Sequence, residues 1–294
     1  MEEVTVKTWE EFEERIKELE SRKYDVLFRG QANSNWKLET TLDRFVFPES
    51  KLMDYYRIIY LAKPRIEAFI DKSWNIPSPK EYAKWLKERR GFLFLSDMPG
   101  YDYMAYLRHH GFPSPLLDWT SSPYIAAFFA YNRIDKSVEN VSIYVFQEHI
   151  GLGKIATSQE PFISSFGDYV STHKRHFLQQ SQYTICTLKK DNDWYFAHHE
   201  DVAGRDKKQD LLWKFNIPSA ERIKVLRMLD RFNINSFSLF GSEESLMDMI
   251  ATKELLIKNI DLTNKSGSLG WFNRSEHLEH LGVFILEGGE KVAS

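Results

Sequence analysis

His109-His110-Gly111-Phe112-Pro113-Ser114-Pro115-Leu116-Leu117-Asp118-Trp119-Thr120-Ser121-Ser122 is the stretch on which the reading of this chain turns. The residues before it, 101–110, have helical spacing and are closed by Gly111. Pro113 and Pro115 then exclude helix, because proline lacks the N–H and clashes with the preceding turn. Leu116-Leu117-Asp118-Trp119 reads as a short buried strand. Ser122 and Pro123 open the next helix, as N-cap and first helical residue. That helix, 124–134, is apolar nearly all round and belongs in the interior. A strand thus delivers an acid, an indole and three hydroxyls to a helix N-terminus, where free N–H groups and the helix dipole favour anions.

Upstream, Tyr24-Asp25-Val26-Leu27-Phe28-Arg29-Gly30 reads as a strand stopped by its glycine, with a polar loop, 31–35, beyond. An arginine in an apolar strand needs a partner for its fork. A diphosphate or carboxylate ligand fits, and so does a local acid such as Asp25 or Asp43. Gly30 would let a ligand approach the backbone.

The rest of the chain alternates helical and strand patterns. Thr8 and Glu11 form a capping box ahead of Phe12, Ile16 and Leu19 at helical spacing. Helices are expected at 49–71, at 79–90 with Gly91 as its C-terminal stop, at 219–230 and at 242–257. Strands are expected at 141–147, 183–188, 194–198 and 211–217, with 151–168 as loop. The sequence therefore predicts an α/β (α+β) fold: a mixed, largely antiparallel sheet with packed helices. Residues 1–262 form the domain, and 263–294 are a linker and C-terminal extension whose apolar Phe284-Ile285-Leu286 could dock on the body or on a partner.

The 294 residues suffice for a sizeable core, and 43% hydrophobic with 28% charged residues is globular composition. No apolar run reaches the roughly 18–20 residues of a membrane span. Met1-Glu2-Glu3-Val4 opens no signal peptide, and Cys186, the single cysteine, permits no internal disulfide; a cytoplasmic location is expected. The net charge of −3 argues against a broadly basic nucleic-acid surface but leaves room for a local patch. The eight Trp and 21 Phe make a large aromatic core, with rings to spare for a base-sized pocket.

Other chemistries find little support. The histidine pairs, among them His109-His110 and His198-His199, lack the sulfur or further ligands of a zinc site, so no metal is expected. Gly151-Leu152-Gly153-Lys154 lacks the rest of a phosphate loop. No Gly-x-Ser-x-Gly elbow occurs, and Cys186 sits in the apolar run Tyr183-Thr184-Ile185-Cys186 as a structural thiol.

Phe28-Arg29-Gly30-Gln31, His110-Gly111-Phe112-Pro113 and Leu116-Leu117-Asp118-Trp119-Thr120 together resemble the FRG domain, named for its Phe-Arg-Gly motif. Ser122-Pro123 and Ala126-Ala127-Phe128-Phe129-Ala130 extend the likeness. Gln179-Gln180-Ser181-Gln182-Tyr183-Thr184 looks like the family's later Gln-Gln-Gly-x-Phe element, with serine where glycine is usual. The resemblance spans about residues 5–260. More distantly, the order of arginine strand, Thr120-Ser121-Ser122 and a later polar triplet is similar to the Arg-Ser-Glu ADP-ribosyltransferases.

That second resemblance implies an ADP-ribosyltransferase-like fold with NAD as the substrate held in the pocket. Arg29, Gly30 and Gln31 would hold NAD with Trp119, Thr120 and Ser121, and Asp118, His110 and Gln180 would carry catalysis. Gln180-Ser181-Gln182 stands where that family has Glu-x-Glu. A neutral amide orients a ribose but supplies no negative charge to an oxocarbenium-like transition state. The resemblance further implies a macromolecular target, nucleic acid (RNA or DNA) or protein, a role as a bacterial toxin or anti-phage effector, and an antitoxin or chaperone partner. Two other readings stay open: a nucleotide-binding signalling module without turnover, and an NAD-independent nuclease or hydrolase using His110 and Asp118.

Overall fold

Strands rich in apolar residues, the central ones buried on both faces, build the sheet that carries this protein. In a computed structural model they are β1 (Glu2–Thr5), β2 (Leu27–Gln31), β3 (Leu117–Thr120), β4 (Asn140–His149), β5 (Phe162–Phe166), β6 (Ser181–Lys190), β7 (Asp193–Phe196) and β8 (Gln209–Pro218). The structure describes residues 1–20, 25–45, 50–89, 98–150, 154, 160–166, 174–203 and 208–258. Among these the strands form one sheet in the order β1-β8-β4-β2-β3-β6-β5, with β7 paired to β6 as well. The pairings are antiparallel except that of β1 with β8. The fold is mixed α/β with a largely antiparallel sheet.

Two compact units divide the chain, Met1–Ile250 and Ala251–Ser294. The described part of the second carries a π-helical turn, Thr252–Ile257. The expected linker at 263–270, the extension beyond it and Gly91 lie outside the described residues.

Helices cover the sheet where the strands present apolar residues. Helix α1 (Trp9–Glu20) buries Trp9, Phe12, Ile16 and Leu19, the stripe its spacing predicts. Its capping differs slightly from a reciprocal box: Thr8 Oγ1 accepts from Glu11 N at 3.2 Å, while the Glu11 carboxylate takes the N–H of Lys7 at 2.8 Å. Helices α2 (Thr41–Phe45), α3 (Leu52–Ile70), α4 (Pro79–Glu88) and α5 (Tyr101–His109) come next in the chain, and residues of all four pack with Tyr183 and Ile185 of β6 in one core cluster. The other face of the sheet buries Trp119, Tyr144, Phe146 and Cys186 under Leu38 and Val202. Cys186 is buried, its Sγ donating to the His198 carbonyl at 3.6 Å, as its apolar setting predicts.

Helix α6 (Pro123–Tyr131) starts at Ser122, whose Oγ accepts from Ile125 N at 3.4 Å. It lies so close on β2 that a Cβ on Gly30 would sit 1.9 Å from the Ala126 carbonyl oxygen. Gly30, expected to stop the strand and admit a ligand, lies inside β2 and admits a helix instead. Five short or terminal elements escaped the sequence reading. They are β1, α2, β5, α7 (Lys174–Leu178) and α9 (Ser236–Phe240). The β5 strand falls in a stretch read as loop, because Ser164-Ser165 interrupts its apolar alternation. Helix α8 (Arg222–Arg231) falls on its expected span and runs one residue past it, and α10 (Glu243–Ala251) lies within its own.

Candidate functional site

The strands β2 and β3 share a single register pair, Phe28 with Thr120, and beside this short seam a cavity of about 430 Å³ opens. That volume lies in the ~300–1,000 Å³ range of small-molecule pockets. Its floor is buried: Phe28, Gln31, Trp119, Thr120, Gln179 and Ser181 line it with little exposed surface. Its rim is open, with Trp36 52% and Phe129 37% exposed.

Charge distinguishes the wall. Among the described residues it holds five arginines, Arg29, Arg44, Arg108, Arg133 and Arg175, against one carboxylate, Asp118. The whole chain carries a formal −3, so this cation density is local. Arg29 reaches the wall from the middle of β2, and its Nη1 donates to the Asp118 carbonyl at 2.8 Å. Neither Asp25 nor Asp43 pairs with it. The Asp43 carboxylate caps Thr40, 2.9 Å from its N and 2.8 Å from its hydroxyl. Burial pushes the Arg29 guanidinium down to about 10, with Arg108 and Arg44 adding repulsion and Asp118 opposing it. Arginine is still protonated at neutral pH.

Arg108, at the end of α5, binds Asp118 Oδ2 through Nη2 at 2.6 Å. Buried polar atoms of the wall without a hydrogen-bond partner include Arg29 Nε, Arg108 Nε, Gln31 Oε1 and Asp118 Oδ1. Such atoms are costly unless a ligand meets them.

The indole of Trp119 forms part of the floor and is held from behind. Its Nε1 donates to Thr184 Oγ1 at 2.7 Å. The Thr184 hydroxyl therefore has its own proton for His199 Nε2, 2.8 Å away. Burial lowers the His199 pKa to about 3, with Arg29 and Lys154 adding repulsion, so the ring is neutral and accepts. On the other side His109 lines the cavity, its Nε2 2.5 Å from the Tyr183 hydroxyl, which also stands 3.1 Å from His176 Nδ1.

Six of the nine residues expected at the site come together here: Arg29, Gly30, Gln31, Asp118, Trp119 and Thr120. His110, Ser121 and Gln180 do not line the cavity. The His110 ring packs on Tyr106, 4.2 Å between centroids, and burial lowers its pKa. Adjacent helical residues point about 100° apart, and it is His109 that faces inward. Gln180 is exposed with φ of 47°, and its carbonyl accepts from Ser121 N at 3.1 Å. Gln179 and Ser181, on either side of it, line the wall in its place.

Residues 24–139 match the family model of the FRG domain. This chain carries an FRG domain. The match covers less than half of the chain, a shorter span than the 5–260 expected from the motifs. No curated protein and no solved structure matches. Within the FRG domain lie Arg29, Arg44, Arg108, Asp118 and Arg133, whereas Arg175, Gln179, Ser181 and Phe240 join the wall from beyond it. The cavity thus needs more than the matched segment. The added arginines went unread in the sequence because they come singly from α2, α5, α7 and the turn after α6, and no local spacing links them.

Proposed function

We propose that this cavity binds NAD and that the protein transfers ADP-ribose from it to a macromolecule. The observation that carries the reading is the pair of buried guanidiniums, Arg29 and Arg108, each with an unmet Nε on a wall rich in arginine. A diphosphate accepts from such forks at several oxygens at once. The strand order supports it further. Arg29 on β2, Thr120 on β3 and the Ser181-Gln182 start of β6 lie on successive strands of the sheet, the order that the distant resemblance implies.

The chemistry is a substitution at the ribose C1′. The bond to the nicotinamide nitrogen breaks, and its electron pair leaves with neutral nicotinamide. A lone pair on the acceptor forms the new bond, and the acceptor's proton passes to a base or to water. The developing positive charge needs a nearby anion. Asp118 fills that part in this reading, through the oxygen that Arg108 leaves unbound.

A second reading, NAD or nucleotide binding without turnover, draws on the exposed Gln180 and on the engagement of the sole carboxylate with Arg108. The hydrolase alternative needs His110 beside Asp118, and His110 stands outside the cavity lining. A toxin or anti-phage role, with an inhibitor partner, belongs to the first reading and rests on resemblance alone.

The test is incubation of the protein with adenylate-labelled NAD alongside RNA, DNA and a cell extract. Label on a macromolecule, lost in Arg29→Ala, supports transfer. Binding of NAD with neither transfer nor nicotinamide release supports the second reading; absence of NAD binding sinks the first and leaves the second to a titration with other nucleotides.

A further inference from the structure

Position divides the charges of the cavity wall into two sets. Arg29 and Arg108 belong to the floor, with unmet buried atoms, and suffice to grip one diphosphate. Arg44, Arg133 and Arg175 form a second set, on α2, after α6 and on α7. Arg44 is exposed and makes no ion pair among the described residues. Arg133 is 80% exposed and meets Asp248 at 3.2 Å, a contact that solvent weakens. Arg175 is half-buried where the rim meets the floor: it lies over the Phe240 ring at 5.5 Å, and its Nη1 donates to the His109 carbonyl at 3.3 Å, with Glu244 in its field.

Aromatic rings alternate with these cations. Trp36 stands on the loop after β2, and Phe129 meets Phe240 edge-on with 6.1 Å between centroids. Trp36 and Phe129 are exposed on this charged rim, with Phe240 half-buried behind them, and exposed apolar rings cost solvation energy. Guanidiniums interleaved with exposed rings are what a single strand of nucleic acid requires, since each nucleotide brings one phosphate and one stacking face. A duplex hides its base faces, and an acidic peptide would use the cations but leave the rings idle.

We propose that the rim formed by Trp36, Arg44, Phe129, Arg133, Arg175 and Phe240 binds single-stranded nucleic acid, and that this strand is the acceptor presented to the floor. The acceptor part rests on the NAD reading; strand binding does not. A nucleophilic nitrogen or oxygen of the strand then replaces nicotinamide at C1′, losing its proton as that bond forms.

The experiment is fluorescence polarisation of labelled oligothymidylate and oligouridylate of about twelve nucleotides, titrated with full-length protein at several salt concentrations. A duplex of the same length serves as competitor. Wild type binds at least one single strand in preference to the duplex, with affinity falling steeply as salt rises. Arg44→Ala and Arg133→Ala each flatten the salt slope by ~0.7. Trp36→Ala weakens binding roughly tenfold or more. Arg29→Ala loses NAD and keeps the strand, which separates failure of this proposal from failure of the NAD reading.

No binding to either oligonucleotide overturns the proposal, and so does binding that ignores all three rim substitutions. Transfer of label to proteins of an extract, with none to nucleic acid, removes the strand as acceptor.

Discussion

Arg29 and Gly30 are neighbours in β2 with opposite duties, and the difference is testable residue by residue. Arg29 spends a buried charge on one carbonyl, that of Asp118, and keeps Nε unmet. Lysine keeps the charge and can still donate to that one carbonyl, so the balance of bonding and desolvation changes little. Arg29→Lys should alter stability by no more than about 1 kcal/mol in urea unfolding. It should also weaken NAD binding by at least about tenfold in calorimetry, because an ammonium cannot fork. A large loss of stability would instead mark Arg29 as a structural residue. Gly30 has no such tolerance. A methyl there meets Ala126 O at 1.9 Å and Ala130 N at 2.7 Å, both helix backbone. Gly30→Ala should cost about 3 kcal/mol or more, read from the urea midpoint. His199 gives a pH signature. Its folded pKa of about 3 lies below the ordinary 6.5, so the unfolded chain binds the extra proton between those values. Its contribution is present above about pH 6.5 and is lost progressively as pH falls towards 3. Moving from about pH 7 to about pH 5 should cost about 2 kcal/mol through this group. His199→Gln should flatten that part of the stability profile; an unchanged profile would place the dependence elsewhere.

At the scale of elements, what was legible followed from local rules. Ser122 and Pro123 announce α6, the prolines 113 and 115 exclude helix before β3, and the stripe of α1 falls where its spacing puts it. Six site residues were readable because two contiguous motifs, on β2 and on β3, supply them. What was not legible depends on packing between distant segments. The role of Gly30 needs the position of α6, and the choice of His109 over His110 needs the rotation of α5. The later Gln triplet misled for a related reason. A left-handed turn at Gln180 turns that residue outward and leaves Gln179 and Ser181 in the wall. The α6 start also carries an element-level prediction. Ser122 Oγ satisfies one orphan N–H of a helix that is otherwise nearly all buried. Ser122→Ala should cost about 1 kcal/mol by urea unfolding. It should leave NAD affinity within about twofold, since Ser122 does not line the cavity. A strong loss of affinity would mean that the helix start contacts ligand after all.

At the scale of the molecule, a chain with formal charge −3 has placed five arginines around one cavity. Mutual repulsion among them opposes folding, and the unmet buried atoms on Arg29, Arg108, Gln31 and Asp118 add to that cost. Ligand binding should therefore return stability to the whole unit Met1–Ile250, in which every lining residue lies. Ligand at about a hundred times its dissociation constant adds ~2.7 kcal/mol. For a unit of this size each kcal/mol raises the thermal midpoint by ~2–4 °C, so NAD near saturation should raise it by about 5–10 °C. The origin of the shift can be assigned by fragments. ADP-ribose, which keeps the diphosphate, should reproduce most of it, and nicotinamide alone should give none. Rising salt should shrink the shift, because phosphate–arginine contacts at a partly open site are screened. A shift with nicotinamide and none with ADP-ribose would place recognition on the rings and leave the arginines without a diphosphate to hold.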